Sequence, residues 1–216
     1  MLLSHLSGIA TRAWLQRAAE DPTARHPKHL PKELDFRDAA DLIQRLLISA
    51  PAGVELGTAV TLVDGELEFP PELAVRPRYD AVVRGGRFIG SIHVHVPDET
   101  GRFTPFFDPA DLAGALRSDY AGFVELLATP DRVYALVRSN PYLYISAHHV
   151  QRNPLLLREE HDRELRRRGN PRAEDPRFAE AYRGASLYWF ERYGMTLYEG
   201  ALTEPLSRTV TASPVW

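Results

Sequence analysis

Apolar residues recur at helical spacing near both ends of the chain and at alternate positions through its middle. Over residues 4–20, Leu6, Ile9, Trp14 and Leu15 fall among the apolar positions of an amphipathic pattern, which predicts a helix. The stretch DPTARHPKHLPKELDF then breaks the pattern with three prolines, reading as a linker or arm. From about Arg37 to Pro51, DFRDAADLIQRLLISAP returns to a strong amphipathic helix that the proline ends.

The middle of the chain alternates with a period of two. GVELGTAVTLV reads as a strand, Asp64-Gly65 as a turn and ELEF as a short return strand. RYDAVVRGGRFIGSIHVHV gives further strand, with a turn at Gly85-Gly86. DPADLAGALRSDY predicts a helix with Asp108 as N-cap, Pro109 in the first helical position and Asp111 in the first turn. GFVELLAT and RVYALVRS, joined around Pro130-Asp131, make a hairpin, and YLYISAHH reads as one more strand. Beyond it, NPLLLREEHDRELRRRGN predicts a charged helix ended by Gly169, and DPRFAEAYRGASLYWFERYGM an aromatic-rich one. The tail TLYEGALTEPLSRTVTASPVW reads as extended or irregular.

This order predicts an α/β (α+β) fold with a mixed sheet flanked by helices. It also predicts three segments: a helix and proline-rich arm over 1–35, a core domain over 36–150, and a helical, aromatic-rich extension over 151–216. The aromatics of the extension, Tyr182, Tyr188, Trp189, Phe190, Tyr193 and Tyr198, read first as packing and second as an oligomer or partner surface.

Composition narrows the function classes. In 216 residues, 26 basic against 29 acidic side chains leave a net charge of −3, so no basic field invites nucleic acid. Lys28 and Lys32 are the only lysines; the arginine bias reads as GC-rich coding, as in many bacteria. The absence of cysteine excludes a thiol nucleophile, a disulfide framework and a Cys-ligated zinc site. Any metal must therefore be held by histidines and carboxylates. The first 21 residues are a poor signal peptide and too polar to span a membrane, which leads to the expectation of a cytoplasmic protein with no membrane partner.

The chemistry concentrates in GGRFIGSIHVHVPDETGRFTPFFDPADL, residues 85–112. His93 and His95 are two apart, so on a strand they share a face, a usual way for two imidazoles to hold one zinc. The strand is otherwise apolar, so the pair needs an explanation. Asp108 and Asp111 follow within sixteen residues of His95, and Glu55 lies upstream at the edge of a glycine-containing strand. Two histidines and one carboxylate leave a position for water, and a second carboxylate beside it can move that water's proton. His26 and His29 form a further pair that could bind metal in principle, but they sit among prolines in a linker or arm.

In this order the parts resemble the JAB/MPN (JAMM) zinc metallopeptidases, prokaryotic type: a helix, then GVELGT with Glu55, a hairpin, GSIHVHVP from Gly90 to Pro97, and FDPADL from Phe107 to Leu112. The resemblance covers roughly residues 36–146. It implies an MPN/JAB-like (cytidine-deaminase-like) fold and a Zn2+ cofactor held by His93, His95 and Asp111. It implies Glu55 as the general base that later protonates the leaving amine. The implied reaction is hydrolysis of a peptide or isopeptide bond in a protein or peptide substrate, such as one following a ubiquitin-like protein. Two features depart from the family. Asp108 stands where the family has the serine that helps stabilise the oxyanion, and a carboxylate there repels negative charge unless protonated or turned away. The segment from His95 to Asp111 is also longer than usual. Asp108 is thus a candidate helix cap, a candidate ligand in place of Asp111, or the mark of a site that has lost its chemistry.

Two other readings compete. In a cupin, His93, His95 and Glu99 would pair with His149 and Asn153, but the glycines are misplaced and a helix at Asp108 interrupts the barrel. In a non-catalytic scaffold of the MPN type, the fold would persist without chemistry. A histidine-triad hydrolase is excluded by Pro97, which occupies the third alternating position. His148 and His149 read as surface.

Overall fold

Short β-branched runs in the middle of the chain pair into one sheet, and the amphipathic helices cover it. The structure is a computed structural model that describes residues 2–70, 86–102, 104–116, 122–140 and 154–210. Among them are helices α1 (Leu2–Glu20), α2 (Ala40–Ser49), α3 (Pro109–Ala115), α4 (Pro154–Arg167) and α5 (Phe178–Arg192). The strands are β1 (Glu33–Leu34), β2 (Leu56–Val63), β3 (Glu66–Glu68), β4 (Arg87–Val94), β5 (Val124–Ala128), β6 (Val133–Arg138), β7 (Met195–Gly200) and β8 (Leu206–Val210). They form one eight-stranded sheet in the order β1-β8-β7-β6-β5-β4-β2-β3. Every neighbouring pair is antiparallel except β4 with β5, whose parallel register runs from Gly90 opposite Val124 to Val94 opposite Ala128. The sheet is therefore mixed and the fold mixed α/β.

The period-two alternation sorts the core into two layers. Ile92, Val94, Val124, Leu126, Ala135 and Val137 pack on one face with Trp14 and Leu15 of α1 and Ile43 and Leu46 of α2. Leu127, Leu136, Met195 and Leu197 pack on the other with Leu112 of α3, Leu157 of α4, and Trp189 and Phe190 of α5. The β2–β3 hairpin turns through Asp64 (φ 49°) and Gly65 (φ 85°), two left-handed residues that match the twist of the strands.

Strands from all three expected segments pair in this sheet. The tail read as extended or irregular supplies β7, paired with β6 from Val133 opposite Gly200 to Arg138 opposite Met195, and β8 beside it. The arm over 1–35 supplies β1, which pairs with β8. Residues 1–35, 36–150 and 151–216 thus share one sheet. Pairings between residues so distant in sequence leave no local trace, which is why composition missed them. Four of the aromatics singled out in 151–216 are core: Trp189, Phe190, Tyr193 and Tyr198 are buried, while Tyr188 stays 40% exposed. The strands expected in RYDAVVRGG and YLYISAHH, the turn residue Gly85, and His148, His149 and Asn153 lie outside the described residues. No helix among the described residues is long and apolar enough to cross a membrane.

At Gly90 the parallel pair leaves no room for a side chain: an added Cβ would lie 1.7 Å from the Val124 carbonyl oxygen. Gly90→Ala must push β4 away from β5. It is expected to cost on the order of 3–5 kcal/mol, measured by chemical denaturation, or to abolish soluble expression.

Candidate metal centre

The parallel pair brings the candidate residues to one end of the sheet. Isoleucine and valine at 92 and 94 face the α1–α2 layer, so Ser91, His93 and His95 project to the other side. His95 follows the last residue of β4, and its N–H continues the ladder to the Ala128 carbonyl at 3.0 Å. Glu55 precedes β2, whose Leu56 lies opposite Val94, so antiparallel pairing sets Glu55 beside His95. Gly53, in the left-handed region (φ 69°), donates its N–H to the Pro97 carbonyl at 3.1 Å and ties the two segments together.

The helix α3 crosses from β4 toward β5 and delivers its N-terminus to the same place. Asp108 caps it: its Oδ1 accepts the N–H groups of Ala110 (2.6 Å) and Asp111 (2.8 Å). Asp111 completes a capping box by accepting the Asp108 N–H on Oδ2 at 2.8 Å. Asp111 therefore has one oxygen held by the helix and the other, Oδ1, 3.3 Å from Nε2 of His93. His95 Nε2 lies 3.7 Å from Asp111 Oδ2 and 3.2 Å from Oε1 of Glu55.

Both histidines are buried, 6% and 2% exposed, and both Nε2 atoms are buried without a hydrogen bond. The His95 Nδ1 lies 2.9 Å from the Thr104 carbonyl, which can only accept, so the ring proton sits on Nδ1 and the Nε2 lone pair is bare. Two desolvated imidazole nitrogens facing a carboxylate are a costly arrangement unless something binds there. The ligand atoms of His93, His95 and Asp111 all lie within 4.8 Å of one another, and together they could hold a metal ion. Bonds of about 2.0–2.1 Å in tetrahedral geometry place ligand atoms roughly 3.3 Å apart, close to the His–Asp separations present.

Protons occupy the same interactions when no ion does. Burial depresses the His93 imidazole, but Asp111, with Glu125 and Glu55, outweighs it and lifts His93 to about 9. Burial, aided by the neighbouring His93, pushes His95 down. His93 holds Asp111 below the usual carboxylate range against its own burial. Burial, then the charge of Asp111, raises the Asp108 carboxyl to about 6.

The structure thus joins His93, His95, Asp111 and Glu55 in one site and gives Asp108 to the helix cap rather than to the ligand set. Sequence reasoning missed Glu125, a buried carboxylate of β5 that accepts the Ser91 hydroxyl; a lone glutamate in the apolar run GFVELLAT was its only signal. It also missed a groove beside Glu55 and His95 to which α5 contributes. Glu55, His95, Val96, Arg102 and Thr104 line, together with Phe178 of α5, this open groove of about 340 Å³. The cupin reading loses its context, since these histidines sit in an open sheet beside a helix rather than in a barrel.

Metal must displace the proton that His93 shares with Asp111. Below about pH 9 that proton is bound in the metal-free protein, so apparent zinc affinity should rise by up to about tenfold per pH unit from pH 6 to 8. Competition titration would measure the rise, and calorimetry in buffers of different ionisation enthalpy should show about one proton released per ion.

Compared with family models, with curated proteins and with solved structures, the chain matches none, so the reading of this centre rests on its own residues.

Proposed function

We propose that the chain is a zinc-dependent hydrolase of peptide or isopeptide bonds with an MPN/JAB-like core of the JAMM kind. The observation that carries this reading is the position of Glu55. Its side chain is 44% exposed, yet its Oε1 stands 3.2 Å from the bare Nε2 of a buried histidine that belongs to a His-His-Asp cluster. A metal site built only for structure is closed by four protein ligands; here three converge, and the fourth side opens on a groove beside a free-standing carboxylate.

Zinc, when bound, supplies Lewis acidity that activates water and polarises a carbonyl. The chain's own residues do the rest. His93, His95 and Asp111 hold the ion, and the His95 proton locked on Thr104 fixes the ring. Glu55 accepts a proton from water as the water oxygen adds to the carbonyl carbon. It returns a proton to the amine nitrogen as the C–N bond breaks. The groove receives an extended chain, in keeping with a protein or peptide substrate. A ubiquitin-like protein as the acyl side of the scissile bond rests on the sequence resemblance alone.

Glu55→Gln keeps the shape and removes the base. It should leave zinc content unchanged in elemental analysis and lower kcat on peptide and ubiquitin-like fusion substrates by about 10²–10⁴. His95→Ala should lose the metal. Zinc-loaded wild type that cleaves no such substrate would replace this reading with that of a non-catalytic scaffold, for which Asp108 in the serine's place is the supporting feature.

A further inference from the structure

Besides Gly53, Glu55 and His95, the groove is lined by residues of two further segments. One is the loop after β4, which runs to Thr104, the residue whose carbonyl holds His95. The other is the connection between α4 and α5, which lines the groove through Ala173 and the first residue of α5, Phe178. Each segment is fixed by its own hydrogen bonds. In the loop, Asp98 Oδ1 accepts the Thr100 N–H (2.8 Å), the Thr100 hydroxyl (2.7 Å) and the Arg102 N–H (3.0 Å). The Arg102 carbonyl in turn accepts the Asp98 N–H at 2.7 Å. In the connection, the Asp175 N–H reaches the Arg172 carbonyl at 2.9 Å, and the Phe178 N–H reaches the Asp175 carbonyl at 2.8 Å.

Among the described residues that line the groove, Arg102 alone carries a fixed positive charge. Its backbone is held on both sides, but its side chain is 57% exposed and meets Glu174, equally exposed, at 2.5 Å. Glu174 follows Ala173, so this ion pair runs from one lining segment to the other. Arg177, nearby in sequence, is engaged with Asp175 at 2.8 Å. An ion pair this exposed contributes little to stability, so a carboxylate from outside can replace the one inside at small cost. The guanidinium is a planar fork suited to that group.

We infer that Arg102 selects the substrate of this groove by engaging a carboxylate that the substrate carries near the scissile bond, with Glu174 holding that place until substrate arrives. This rests on the hydrolase reading above. The carboxylate belongs to an acidic side chain or to a free C-terminus, since both present the same two oxygens. Glu174 is then an internal competitor, and substrate that displaces it also releases the α4–α5 connection from the loop.

The test uses zinc-loaded full chain and quenched-fluorescent peptide libraries with Glu, Gln or Lys fixed at each position in turn. Each library is made with a free and with an amidated C-terminus, and mass spectrometry locates the cleaved bond. Wild type should favour Glu over Gln at one position, or the free over the amidated C-terminus, by about tenfold in kcat/KM, carried by KM. The arm that responds identifies the source of the carboxylate. Arg102→Gln should abolish the preference and Arg102→Glu should turn it toward Lys. Glu174→Gln should lower KM for the preferred peptide by about threefold. A clasp of purely structural role would lower Tm in both Arg102→Gln and Glu174→Gln and leave the preference as in wild type, which overturns the assignment. Cleavage without any charge preference also overturns it and leaves the hydrolase reading standing. Libraries left intact by zinc-loaded wild type sink the hydrolase reading and this assignment with it.

Discussion

The single parallel pairing in the sheet governs the molecule. Antiparallel neighbours can be joined by a tight turn, as β2 and β3 are, but a parallel pair requires the chain to travel back along the sheet. Between β4 and β5 that return carries α3, so the end of the histidine-bearing strand and the start of the aspartate-bearing helix arrive at one place. The register depends on the backbone contact at Gly90, where β4 lies against the Val124 carbonyl closely enough to exclude any side chain. From that contact the alternation of the strand decides that Ser91, His93 and His95 face α3 while Ile92 and Val94 face α2.

Charge at the centre follows from the same burial. Imidazoles and a carboxylate withdrawn from water are stable only in mutual compensation, and here compensation runs through the helix cap. Asp111 uses one oxygen to close the capping box and turns the other to His93, so the helix start and the histidine pair are joined by one side chain. Asp108 is part of that arrangement. Its carboxylate accepts the N–H groups of Ala110 and Asp111 and so closes the cap from the other side.

Much of this was legible along the chain. FIGSIHVHV showed period two with two histidines in phase, Asp64-Gly65 marked a hairpin, and Asp108-Pro109 marked a helix start, because each signal lies within a few residues. The proximity of Glu55 to His95 was legible only through the resemblance, since antiparallel pairing across some forty positions has no local signature. The pairing of β1, β7 and β8 into the sheet was not legible, although the tail read as extended or irregular. TLYEG and PLSRTV carry too few residues to distinguish a strand from irregular tail, and what selects them is the β6 edge they meet. The aromatics of α5 were visible in the sequence, but which of them are buried, as Trp189 and Phe190 are, and which stay exposed, as Tyr188 does, is decided by tertiary contact.

The joining of β1 to β8 carries a consequence for biosynthesis. A nascent chain emerging from the ribosome presents the histidines, the aspartate and Glu55 well before it presents α5 and the strands that follow. Until those arrive, the outer edge of β6 is open, β1 has nothing to pair with, and the groove lacks the wall that α5 contributes. The ligand cluster thus precedes the wall in time.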